Sequence, residues 1–75
     1  MKNIKQIVAD NLRAHRAVAR LSQQEVADRT GNSLASIKAW ENGENAMNIV
    51  ALNDLADFYG VSTDSLMGRV PNSAA

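Results

Sequence analysis

Few side chains here could carry covalent or acid–base chemistry. The 75 residues include one histidine and no cysteine, so a thiolate nucleophile, a thiolate metal site and a disulfide are all unavailable. His15 has no partner at ligand spacing and falls off the apolar stripe of its helix, which reads as a solvated side chain. Asp54 and Asp57, three apart, are the nearest approach to a carboxylate pair, and at that spacing they read as a solvated helix face. With no glycine-rich phosphate loop and no metal-ligand cluster, the pattern points away from enzyme chemistry and calls for no cofactor or metal. What remains is polar recognition. Gln23, Ser33, Lys38 and Asn42 all fall within Leu21–Gly43, LSQQEVADRTGNSLASIKAWENG.

Two short helices must position those groups. Ser22 is an N-cap, and Glu25 three residues later can reach back to the Ser22 amide, forming a capping box. Leu21 and Val26 supply the matching hydrophobic staple. The helix then covers Gln23 to about Thr30, and Gly31 ends it where a left-handed backbone angle makes a sharp turn. Ser33 caps the next helix, whose inward positions are Ile37 and Trp40 and whose stop is Gly43, with Asn42 just before it. The stretch is read as a helix-turn-helix, with Trp40 as core and not as a stacking platform for a base.

The rest of the chain holds that pair. Asn3 to about Ala19 forms a first helix with Ile4, Ile7, Val8 and Leu12 on its packing face. Asn48 caps a fourth, in which Ile49, Leu52, Leu55, Ala56 and Tyr59 make the second half of the core before Gly60. A fifth starts at Ser62, with Val61 and Leu66 as staple, Asp64 in its first turn and Gly68 as its close. Strand patterns and internal repeats are absent from the sequence. The expected fold is all-α, a compact five-helix domain over residues 1–68 with a flexible tail over 69–75.

Composition bounds the partners. Eight Lys and Arg balance eight Asp and Glu, so net charge does not announce a nucleic acid. The charges are nonetheless segregated. Residues 1–38 carry Lys2, Lys5, Arg13, Arg16, Arg20, Arg29 and Lys38 against Asp10, Glu25 and Asp28, a net of +4, and the remainder carries Arg69 against five acids, a net of −4. The helix pair sits in the basic half. Absence of cysteine suits a reducing cytoplasm. The run Ile49–Leu52 is far short of the ~20 apolar residues a membrane span needs, and Asp10 and Asn11 interrupt any signal-peptide core.

The order Leu12-Arg13-x-x-Arg16, Leu21-Ser22-Gln23-x-x-Val26-Ala27, Gly31, Ile37, Trp40-Glu41-Asn42-Gly43, Leu55-Ala56 and Tyr59-Gly60-Val61-Ser62 resembles the phage-repressor and Cro family of helix-turn-helix domains, the lambda-repressor-like fold. The resemblance covers about residues 8 to 67. It implies a small Ala27 where the third helix crosses closely, a turn at Gly31, and an ion pair between Arg16 and Glu41 beneath the DNA-facing surface. It also implies that Gln23 and Asn42 position the phosphate backbone while exposed third-helix positions read bases.

If Ile37 and Trp40 face inward, the opposite side of the third helix carries Ala35, Lys38, Ala39 and Asn42, with Ser33 and Leu34 at its leading end. These, with Gln23, are the candidate contacts to a double-stranded operator. Leu34, Ala35 and Ala39 depart from the family, whose members offer polar donors there; apolar groups touch thymine methyls but make no bidentate bonds. Base reading then falls on Lys38, Ser33 and DNA shape. Glu44 stands where a phosphate-binding base is common, and Asn32 where an apolar staple to Ile37 is usual. Val50 and Phe58, beside the fourth helix's core stripe, are candidates with helix five for a weak homodimer patch. The expected function is a DNA-binding transcriptional regulator, a repressor of phage or mobile-element type. The alternative is a protein-interaction module on the same scaffold, an antitoxin or bridging co-regulator, motivated by the neutral charge and the apolar outer face.

Overall fold

A computed structural model describes residues 2–69. Five helices follow one another among them: α1 (Ile4–Ala19), α2 (Gln23–Thr30), α3 (Leu34–Glu41), α4 (Ile49–Tyr59) and α5 (Thr63–Leu66). The described residues contain no strand. From Val70 onward, the segment expected to be a tail lies outside the described residues.

Each helix starts on a short polar side chain. Asn3, Ser22, Ser33, Asn48 and Ser62 are extended and accept the backbone N–H three residues on, which satisfies one orphan donor of each first turn. At α2 the box is complete: the Ser22 amide donates to Glu25 Oε1 at 2.9 Å and the Glu25 amide to Ser22 Oγ at 3.0 Å. Gly31 ends α2 at φ 72°, an angle that costs a residue with a Cβ roughly 1–2 kcal/mol. Arg20 takes the same left-handed conformation at the end of α1, φ 58°, without being glycine.

α1 packs against α3 and α5, α2 against α3 and α4, and α4 against α5. Leu12, Val26, Ile37, Leu55 and Leu66 are the largest fully buried side chains, with Val8, Ala27, Trp40, Ala51 and Ala56 around them. One member of that core comes from each helix in turn, so removing any of the large ones opens a cavity at a junction and costs about 2–5 kcal/mol. Gly68 lies against α1, and a Cβ there would stand 2.8 Å from Ile7 Cγ2. Asn11 on α1 donates to the Leu66 carbonyl at 2.8 Å, closing the C-terminal end of α5 with a side chain.

Two expected core positions are corrected. Ile4 is 50% exposed and Ile49 is 85% exposed. Both are the first residue of their helix, and a helical side chain leans toward the N-terminus, so at the first position it projects past the end of the packed cylinder. Ala9 and Ala51, one residue beyond the expected stripes, are buried instead at 2% and 5%. The α2–α3 turn also differs from an apolar staple. Asn32 Nδ2 donates to Thr30 Oγ1 at 2.9 Å, and Thr30 Oγ1 donates to the Val26 carbonyl at 2.7 Å, so a polar relay closes the turn.

Candidate nucleic-acid interface

α3 buries Ile37, Trp40 and Glu41. By the 100° step of a helix this leaves Ala35, Ala39 and Asn42 at the centre of the outer side, with Lys38 and Ser36 flanking it. Ala35, Lys38 and Asn42 are exposed, Leu34, Ser36 and Ala39 half-buried, and Ser33 exposed at the leading end. Of the expected contacts, Ala35, Lys38, Ala39 and Asn42 thus share one side, whereas Leu34 falls by the same step beside the inward Glu41 and is half-buried, and Gln23 opens the neighbouring α2.

Behind that surface stands a polar brace. Arg16 Nε donates to Glu41 Oε1 and Oε2 at 3.0 and 2.9 Å, and Arg16 Nη1 donates to the Leu21 carbonyl at 3.0 Å. The Glu41 side chain is 3% exposed and that of Arg16 24%. Arg13 Nη1 donates to the Glu41 carbonyl, and Gln23 Nε2 reaches Glu41 Oε1 at 3.1 Å. One carboxylate therefore joins α1, α2 and α3. Hydrogen bonding to Glu41 holds the Arg16 guanidinium charged beyond its ordinary range, ahead of the opposing effect of burial. Burial, then the Glu41 charge, pushes the Tyr59 hydroxyl up to about 12, so it stays neutral and able to donate.

The brace changes the reading of two expected contacts. Gln23 is half-buried and commits one amide hydrogen inward; its second N–H and its carbonyl oxygen are left for an outside partner. Ser33 Oγ accepts from the Ser36 amide at 3.1 Å and donates to Ser36 Oγ at 2.9 Å. The Ser33 hydroxyl accepts at the cap and gives its proton to Ser36 Oγ, so toward an outside partner it can only accept, whereas Ser36 keeps a donor. Ser36 is not among the expected contacts, although the wheel that singles out Lys38 places Ser36 at the opposite edge. His15 is a further correction. It is half-buried, and its ring stacks on Tyr59 with centroids 5.6 Å apart and planes at 26°.

Ion pairing redistributes the basic half. Lys2 and Arg13 both pair with Asp10, and Arg16 with Glu41. Among the described residues, Lys5, Arg20, Arg29 and Lys38 have no ion-pair partner, and of these Lys38 stands on α3 itself. Glu44 is exposed just beyond the Gly43 turn. No group of His, Asp or Glu among the described residues could hold a metal ion, and no helix there is long and apolar enough to cross a membrane.

The geometry has its counterpart in the sequence comparison: the family model described as a helix-turn-helix domain matches residues 7–67, most of the 75 residues. The chain belongs to the helix-turn-helix domain family. No curated protein and no solved structure matches it. Helix-turn-helix domains lay their second helix in the major groove, and α2 and α3 are the counterparts of that motif's first and second helices in this chain. Membership supports a DNA-binding regulator as the coarse function.

Proposed function

We propose that this helix-turn-helix protein is a sequence-specific double-stranded DNA-binding transcriptional regulator of the cytoplasm, a repressor of phage or mobile-element type, acting as a weak homodimer without enzymatic activity. α3 enters the major groove. Lys38 reads a base edge, with guanine O6 and N7 the best acceptors for an ammonium. Ser33 and Ser36 serve as short polar contacts, Leu34, Ala35 and Ala39 meet thymine methyls, and Gln23 and Asn42 position phosphates. The observation that carries this reading is the outer side of α3, exposed at Ala35, Lys38 and Asn42 while α1 and α2 brace its inner side through Glu41. That rigidity lowers the entropy lost on docking.

The second reading, a protein-interaction module such as an antitoxin or bridging co-regulator, rests on Leu34, Ala35 and Ala39, whose apolar surface could bury against a protein. A salt titration of duplex affinity separates the two. Phosphate-dominated binding weakens steeply between ~50 and ~200 mM salt. Lack of affinity for every duplex at the low end would remove the DNA reading.

A further inference from the structure

α3 ends on a side-chain amide followed by glycine, a pair whose backbone can attack its own side chain. Of the chain's eight asparagines, Asn42 alone precedes a glycine. The side chains of Asn3 and Asn48 accept the backbone N–H of their helix caps, and those of Asn11 and Asn32 donate to the Leu66 carbonyl and Thr30 Oγ1. Asn42 is exposed, and no described residue bonds its side chain. Asn45 and Asn53 are exposed too, but they precede Ala46 and Asp54. Glycine has no Cβ to crowd its own nitrogen, so the Gly43 nitrogen is the least hindered backbone nucleophile following any asparagine in this chain.

The folded turn holds the two groups apart. Asn42 has φ −92° and ψ −6°, which turns the Gly43 nitrogen aside from the Asn42 side chain. The Gly43 N–H donates to the Trp40 carbonyl at 3.2 Å and the Glu44 N–H to the Ala39 carbonyl at 3.0 Å, the paired bonds of a Schellman ending. These two bonds gate the reaction. They lie where Asn42, Glu44 and Asn45 are all exposed, and such helix ends open locally at less cost than the whole fold.

We propose that Asn42–Gly43 is a self-modification site whose product places a carboxylate on the outer side of α3. When the turn opens, the Gly43 nitrogen loses its proton and attacks Asn42 Cγ. A C–N bond forms, the Cγ–Nδ2 bond breaks, and the nitrogen leaves as ammonia, taking up a proton. Water then opens the cyclic imide at either carbonyl, leaving aspartate or isoaspartate at position 42. The site itself is independent of the DNA reading, whereas its consequence rests on that reading: an uncharged phosphate contact becomes an anion close to the exposed Glu44, and like charges facing each other across an interface repel.

Incubation of the full chain from neutral to mildly alkaline pH tests the site, with fragment-ion mass spectrometry to locate amide-to-acid conversion and enzymatic methylation to detect isoaspartate. Conversion is expected at Asn42, faster at higher pH because the attacking nitrogen must lose a proton, and faster in urea because the turn is then open. Asn42→Gln is expected to abolish it at that position, since glutamine must close a larger ring. An amide still intact at Asn42 after prolonged incubation, or conversion at Asn45 or Asn53 at the same rate, overturns the proposal. The converted fraction, separated by anion exchange, is expected to bind duplex about tenfold more weakly than the fresh chain, and equal affinity overturns the consequence at α3. If neither fraction binds any duplex while Asn42 is converted, the DNA reading is lost and the modification site stands.

Discussion

Glu41 accepts from Arg16 and Gln23 while its own exposure is 3%, so the two ends of its ion pair are not equivalent. Arg16→Ala strands a carboxylate away from water and is expected to cost about 3–5 kcal/mol in denaturant unfolding. Glu41→Ala costs less, because the Arg16 side chain, at 24% exposure, can turn to solvent. Replacing both by apolar residues of similar volume is expected to recover much of the loss, since neither charge then needs a partner. On the outer side, Lys38→Ala should weaken binding to the preferred duplex by roughly 1–3 kcal/mol and relax selectivity at one base position, whereas Gln23→Ala should weaken all duplexes alike. Competition with random DNA distinguishes these outcomes, and equal losses for Lys38→Ala would deny it a reading role. At Glu25, the hydrogen bond from the Ser22 amide holds the carboxyl below its ordinary range. Its folded value is the lower one, so the bond contributes stability above the usual carboxylate range and loses it as pH falls through that lowered value. Carboxyl chemical shifts of Glu25 in an acid titration should report the depressed midpoint, and Ser22→Ala, which removes the hydroxyl but keeps the amide donor, should return it only in part.

At the scale of elements, the helix starts are set by single side chains. Ser22→Ala removes the half of the α2 box in which Ser22 Oγ accepts the Glu25 amide and is expected to cost about 1 kcal/mol in thermal unfolding. The α1 end offers the opposite experiment. Arg20 holds φ 58° with a Cβ in place, and Arg20→Gly should stabilise the fold by up to about 1 kcal/mol, the relief of a left-handed residue less the added freedom of the unfolded chain. These local devices are also why the helices were legible in the sequence. Asn3, Ser22, Ser33, Asn48 and Ser62 announce starts, and Gly31 and Gly60 announce ends, through chemistry confined to one turn. What could not be read locally was which side chain of a first turn reaches the core. Ile4 and Ile49 count as apolar in any periodicity yet project past the helix end, while Ala9 and Ala51 carry little apolar signal and are buried. Stacking of His15 on Tyr59 joins α1 to α4, a contact no spacing within either helix could announce.

For the whole molecule, measuring 29 × 24 × 21 Å, a zero net charge conceals a division between its two halves. The acids of the basic half are largely engaged internally, Asp10 with Lys2 and Arg13 and Glu25 with its cap, and Lys5, Arg20, Arg29 and Lys38 are left to act on an outside anion. Each of them that meets a phosphate adds about 0.9 to the slope of log affinity against log salt. The surface of α3 was legible because a helix of fixed period with two known inward residues leaves little choice for its outer side. The double duty of Gln23 and the spent proton of Ser33 were not, since both depend on groups that only folding brings together. The central claim is that α3 of this helix-turn-helix domain reads double-stranded DNA, and selection from a randomised duplex library tests it most directly. The account predicts enrichment of a pseudo-palindrome with half-sites about 34–36 Å apart and loss of one base preference in each half with Lys38→Ala. A library that emerges unenriched, or an enriched site indifferent to every substitution on α3, would contradict it.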